Sequence, residues 1–153
     1  MSFTIINEKN ISVELIESLY SSSKEDINKN IKDISLDKYK NIFTKEIKKF
    51  PVSFLIKKSD APIALLLGSK LKTKYAHLTL SLHNDYNDSK DWVYEKEYWD
   101  ILEAGCKDIG AIGWSSEVLE DSPMHNVLKV VSKFLKNYTE TKHNEYINIK
   151  VTF

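Results

Sequence analysis

The chain predicts an α+β domain in which helices pack on a central, mainly antiparallel sheet. Three features carry that expectation. Residues 10–49 hold apolar positions at helical spacing, residues 52–83 hold three β-rich runs set apart by turn residues, and residues 122–138 return to helical spacing behind a serine–proline start. Strands joined by turns that short become antiparallel neighbours. At 153 residues, of which 42% are hydrophobic and 29% charged, the chain fits one globular domain, 1–153. Such a length buries about two-thirds of the surface an unfolded chain exposes.

Taken in order, FTII at 3–6 is β-branched and reads as a first strand. NISVELIESLYSSS follows, with Ile11, Leu15, Ile16 and Leu19 on one helical face and Ser12 or Asn10 placed to cap its first turn. A second helical region over about 24–49 carries Leu36, Tyr39, Ile42, Phe43 and Ile47 on a stripe and breaks near Ser35–Asp37. Pro51 ends it, because the residue before a proline is pushed out of the α region. VSFLIKK (52–58), IALLLGSKL (63–71) and YAHLTLSLH (75–83) then form a three-strand meander. The middle run is apolar on both faces and so central, with Gly68 marking a bulge or a close approach. The third alternates, with Ala76, Leu78, Leu80 and Leu82 expected on one face. Residues 83–91 read as a loop. From Trp92 to about Lys107 the spacing is helical, with Asp91 or Ser89 as cap and Tyr98, Ile101, Leu102 and Gly105 as core stripe. GAIGW (110–114) is short enough for a strand or a turn. Ser122 and Pro123 start the best helix, whose stripe is Val127, Val130, Val131, Phe134 and Tyr138. YINIKVTF (146–153) alternates and reads as a closing strand.

Composition narrows the function classes. All 22 basic residues are lysine, so no guanidinium fork is present for bidentate recognition of phosphate or carboxylate. With zero net charge, this argues against a nucleic-acid partner. No apolar run approaches the length of a membrane span, the N-terminal stretch lacks a signal-peptide pattern, and one cysteine fits a reducing cytoplasm. Charge is also unevenly placed. Residues 85–121 hold 11 of the 22 acidic residues, 3 of the 22 lysines and all three tryptophans, for a local net charge of −8. On a continuous helix Trp92 and Tyr94 lie about 200° apart, and Tyr98 and Trp99 about 100°. Some of these rings are therefore expected to face outward among carboxylates, where Tyr and Trp make effective contact anchors. A basic protein partner suits such a face. The expected partner-binding residues are Asp85, Tyr86, Asp88, Asp91, Trp92, Glu95, Tyr98 and Asp100, with Trp92 the leading outward anchor and Tyr86 the second.

No motif of high specificity accompanies them. His77 and His83 sit six apart on one strand and share a face; without a close third ligand they make polar surface rather than a metal pair. Cys106 reads as a small buried hydrophobe, and the carboxylates are too many to single out an acid–base pair. Gly110-Ala-Ile-Gly113 matches neither phosphate-binding glycine motif. No catalytic, cofactor-binding or metal-binding residue is therefore assigned.

Two resemblances follow from these residues. A small lysine-only domain with an acidic, aromatic face at 85–100 resembles the immunity proteins of bacterial contact-dependent inhibition and colicin-type systems. That resemblance implies a cytoplasmic inhibitor of a cognate toxin, commonly a basic nuclease, without a cofactor. The element order is in turn similar to the GNAT acyltransferase arrangement, which is the alternative reading. In that family the fourth strand leads into a Q/R-x-x-G-x-G/A turn that holds the coenzyme A pyrophosphate at a helix N-terminus. The stretch in that place here, NDYNDSKDWVYEKE, has no glycine and no arginine.

Overall fold

The computed structural model describes residues 3–19, 41, 45, 47–70, 74–83 and 92–153. The described residues build one seven-stranded sheet in the order β1-β2-β3-β4-β5-β7-β6. Its strands are β1 (Phe3–Asn7), β2 (Val52–Lys58), β3 (Ala61–Lys70), β4 (Tyr75–His83), β5 (Gly113–Leu119), β6 (Thr139–His143) and β7 (Tyr146–Thr152). Every pairing is antiparallel except that of β4 with β5. The expected α+β architecture with a mostly antiparallel sheet is what the chain adopts. No described helix is long and apolar enough to cross a membrane.

The strands follow from local chemistry. β2 and β3 are joined by a two-residue turn, Ser59-Asp60, with φ of 50° and 65°. Turns with positive φ at both centres match the twist of the flanking strands. Ala61 and Pro62, expected in the turn, are the first residues of β3. Pro62 is tolerated because β4 pairs with β3 only from Ala64 onward, so no β4 acceptor waits for the missing N–H. Gly68 serves both purposes expected of it. It lies at the irregularity in the β3–β4 ladder, and a Cβ there would stand 1.9 Å from the His77 carbonyl oxygen.

Helices cover the two sheet faces. Residues 13–19 form α1, started by Ser12, whose hydroxyl accepts from the Leu15 N–H at 3.2 Å. Ile16 and Leu19 of α1 pack with Ile47, Leu65, Leu67, Leu80 and Leu82 on one face. Most of the second expected helical region lies outside the described residues. On the other face lie α2 (Lys96–Asp108) and α3 (Pro123–Val131), over a core that includes Phe54, Leu66, Leu78, Trp114, Val118 and Ile149. Ser122 caps α3 and Pro123 opens it, as expected. The stripe differs in detail: His125 and Leu128 are buried, whereas Val130 is exposed.

One strand was not foreseen and another was foreseen only in part. The exposed TETKH of β6 is an unforeseen edge strand, and β5 begins at Gly113 inside GAIGW, left open as strand or turn, and runs on through SSEVL. A third difference is a change of face within β4. Leu67 pairs with Leu80 and Gly68 with Leu78, so Thr79 is an extra residue in β4. Such a bulge reverses the alternation. Ala76 and Leu78 therefore join the α2–α3 face while Leu80 and Leu82 join the α1 face, rather than all four sharing one. For the same reason His77 and His83 point to opposite faces.

Candidate functional site

The bulge at Thr79 coincides with a parting of the sheet. β4 and β5 pair in parallel only from Tyr75↔Gly113 to Leu78↔Ser116. Beyond that point β4 stays on β3 as far as His83, and β5 stays on β7 as far as Leu119. The two central strands thus continue side by side without pairing with each other. Ser116 closes the fork, its hydroxyl donating to the Leu78 carbonyl at 2.9 Å. Below the fork, His77 Nδ1 meets Ser115 Oγ at 2.8 Å. The Tyr75 hydroxyl, also 2.8 Å from Thr152 Oγ1, ties β4 across β5 to β7.

On the helix face the parted half is packed with rings. The end of β4 places His83 against Trp92, with ring centroids 5.9 Å apart, and 3.4 Å from the Tyr98 hydroxyl. Trp92 leans on Tyr98 at 5.0 Å, Tyr98 meets Trp99 edge-on at 4.9 Å, and Trp99 stacks on Trp114 of β5 at 5.8 Å. The row of rings spans the fork from β4 to β5. Its indole N–H is also satisfied, since Trp99 Nε1 donates to the Val93 carbonyl at 2.7 Å. Burial holds His83 well below its ordinary pKa, at about 4, so it is a neutral imidazole at physiological pH.

The tryptophan chosen as an outward anchor is buried, with 5% of its surface exposed, and Tyr98 is buried as well. The reason lies in the backbone. Residues 92–94 form a separate 3₁₀ turn, and Glu95 is extended (φ −79°, ψ 129°) before α2 starts at Lys96. Trp92 and Tyr98 therefore do not share one continuous helix, and the helical-wheel argument does not apply between them. The 100° between Tyr98 and Trp99 is used inward, because Tyr98 faces Phe3 of β1 and Trp99 faces β5. Among the described residues of this stretch, Tyr94 is the aromatic left at the surface, 39% exposed. Asp85, Tyr86, Asp88 and Asp91 lie outside the described residues, as do the caps expected at Ser89 and Asp91; the N-cap of α2 is Glu95.

The charge of this stretch is also partly met by lysines, several of them outside the stretch. Glu95 pairs with Lys58, Glu103 with Lys107 and Lys136, Glu120 with Lys142, and Asp121 with Lys129. Asp100 pairs with Lys96 one turn away. Among the described residues, five carboxylates of this acidic stretch are thus met by lysines in the fold.

Two further groups lie outside the fork, and the first was not singled out in the sequence. Buried His125 of α3 accepts the Asp121 N–H on Nδ1 at 2.9 Å, which leaves Nε2–H to meet Glu140 Oε1 at 3.1 Å. The Tyr138 hydroxyl donates to the other oxygen of Glu140 at 2.6 Å. Burial pulls the Glu140 carboxyl up, but the hydrogen bonds from Tyr138 and His125 outweigh it and hold the group below its ordinary value. This network fastens the edge strand β6 to α3, two strands away from the fork. Cys106 is buried in the core, and burial, with Glu103 adding to it, pushes its thiol up to about 12. It is an inert packing residue, as the sequence suggested.

No protein-family profile matches the sequence, and no curated protein matches it. Solved structures do match in fold. The Campylobacter jejuni N-acetyltransferase PseH in complex with acetyl coenzyme A superposes with a TM-score of 0.64 at 14% identity, covering 98% of each chain. The PaiA N-acetyltransferase of Thermoplasma acidophilum in complex with coenzyme A gives 0.64 at 12% identity, covering 100% of each chain. The GNAT domain of S. lividans PAT gives 0.65 at 14% identity over 97% of this chain and 89% of that one. These likenesses overturn the toxin-immunity reading, which the burial of Trp92 had already deprived of its anchor. By its architecture, then, the chain has the fold of the GNAT acetyltransferases.

Proposed function

We propose that this protein is an acyltransferase that holds acyl-coenzyme A in the fork between β4 and β5 and passes the acyl group to an amine. The observation that carries this reading is the end of pairing at Leu78↔Ser116 while both strands run on. The pantetheine arm of coenzyme A is extended and carries two amides. It can therefore pair with a strand edge as an added strand would. Ser116 already occupies the Leu78 carbonyl, so the arm would pair beyond it, along residues 79–83 and 117–119. Two of the fold neighbours are N-acetyltransferases in complex with coenzyme A or its acetyl thioester, which makes an amine the first acceptor to try. A relay through a cysteine thioester is disfavoured, because the single thiol is buried and held protonated. Direct attack of the amine on the thioester remains, with catalysis resting on positioning. A cytoplasmic setting fits the lone cysteine.

A second reading is favoured by one feature. The segment between His83 and Trp92 has three carboxylates and neither glycine nor arginine, a poor seat for a pyrophosphate. In that reading the chain keeps the fold and has lost the cofactor. Calorimetry with acetyl-CoA and thiol release with a panel of primary amines separate the two. Micromolar binding with turnover above the enzyme-free rate supports the acyltransferase; absence of binding at millimolar acetyl-CoA overturns it in favour of the second reading.

A further inference from the structure

The outer edge of the sheet is self-complementary, and we infer that two copies of this chain pair through β6. All five residues of Thr139–His143 are exposed, with β7 as their strand neighbour on one side and, among the described residues, no strand on the other. The hydrogen-bond alternation along β7 decides which groups of β6 point outward. Phe153 N–H bonds Ile112 on the β5 side, and Thr152 N–H bonds Lys136 on the β6 side. Thr152, Lys150, Asn148 and Tyr146 therefore direct their backbone groups at β6, where their partners are Thr139 for Lys150, Thr141 for Asn148 and His143 for Tyr146. That leaves the N–H and C=O of Glu140 and Lys142 directed away from β7.

A two-fold axis at Thr141 brings these outward groups together. In the antiparallel pairing it generates, Glu140 of each copy lies opposite Lys142 of the other, and each pair exchanges two backbone hydrogen bonds. Opposite charges face each other across the seam in both pairs, a favourable cross-strand arrangement. The neighbouring registers that keep the outward groups matched are penalised. Shifting the axis to Glu140 sets Glu140 against its own copy, and shifting it to Lys142 does the same with lysine. Charge thus selects one register. Glu140 is held in place for this by its hydrogen bonds to His125 and Tyr138. Lysine on an edge strand commonly guards against pairing with other chains; here the guard is cancelled only by a second copy of this same strand. The seam is short, so the dimer belongs with weak interfaces that assemble at micromolar to millimolar chain concentrations.

Sedimentation of the full chain over that concentration range tests the inference, with three variants beside the wild type. Lys142→Glu sets carboxylate against carboxylate across the seam. Lys142→Pro removes an outward N–H without touching the ladder to β7. Lys133→Glu changes the same charge at an exposed site elsewhere. The wild type and Lys133→Glu are expected to dimerise, and both Lys142 variants to stay monomeric with melting curves close to wild type. Lys142→Glu alone decides the matter should the proline variant fail to fold. A wild type that stays monomeric at millimolar concentration overturns the inference. So does a dimer that survives Lys142→Glu, which would put the seam elsewhere.

Discussion

The pair β4 and β5 divides at Leu78 and Ser116 into a closed half and a parted half, and the two are built on different principles. In the closed half, backbone is brought so close that side chains must be absent: a Cβ at Gly68 would meet the His77 carbonyl oxygen at 1.9 Å, and one at Gly113 the Val151 carbonyl oxygen at 2.2 Å. Short polar links, His77 to Ser115 and Tyr75 to Thr152, tie the strands together. The parted half has no such ladder between the strands. It is held on the helix face by the largest side chains in the molecule, Trp92, Tyr98, Trp99 and Trp114. Backbone pairing fixes one half, and ring packing keeps the other open but filled.

That contrast can be broken from either side. The largest effect is expected in the parted half, where Trp92→Ala removes a buried indole from between His83 and Tyr98 and costs about 3–5 kcal/mol of stability in urea unfolding. A loss under about 1 kcal/mol would mean that the ring contributes little to the packing. In the closed half, Gly68→Ala is expected to cost about 3 kcal/mol, since the atom it meets is backbone and cannot swing aside. Gly105→Ala is its control, because the Cβ there meets the end of the Ile5 side chain, which can give way, and its cost should be clearly smaller.

Acid acts on the parted half through His83. The folded-state pKa of His83 is about 4 against an ordinary 6.5, so the unfolded chain binds the proton first as the pH falls. Stability is then complete above about pH 6.5, declines between there and about pH 4, and levels off below, for a total loss of about 3 kcal/mol. His83→Gln should flatten that part of the stability–pH curve, and an unchanged slope in the variant would assign it to other groups. The smallest effect belongs to the fork itself. Ser116→Ala removes the hydroxyl from the Leu78 carbonyl and should cost about 1 kcal/mol, with faster hydrogen exchange confined to residues near the fork.

The closed half was the more legible in sequence. Apolar runs bounded by turn residues place β2, β3 and β4, and Gly68 stands out within an apolar run, so its close approach could be expected. The parted half was hidden by three physical facts. Leu78, Leu80 and Leu82 alternate without a break, so nothing marks the extra residue at Thr79 that turns the strand over. In β5 the alternation of Trp114, Ser116 and Val118 on the core face is present, but a serine at its centre weakens it, and the glycines before it suggest a turn. The spacing of Trp92 and Tyr98 reads as one helix, although an extended Glu95 separates them. The acidic excess of residues 85–121 misled for a different reason. Sequence shows which charges are neighbours along the chain, whereas Lys58, Lys129, Lys136 and Lys142 reach these carboxylates only through the fold.

The central claim is that the parted strands receive the acyl carrier, and titration of the isotope-labelled protein with coenzyme A, followed amide by amide in solution by NMR, tests it most directly. The account predicts saturable shifts at residues 79–83 of β4 and 117–119 of β5, and little change at 75–78 and 113–116, where the strands already satisfy each other. Saturable shifts gathered elsewhere, or a spectrum unchanged at millimolar coenzyme A, would contradict it.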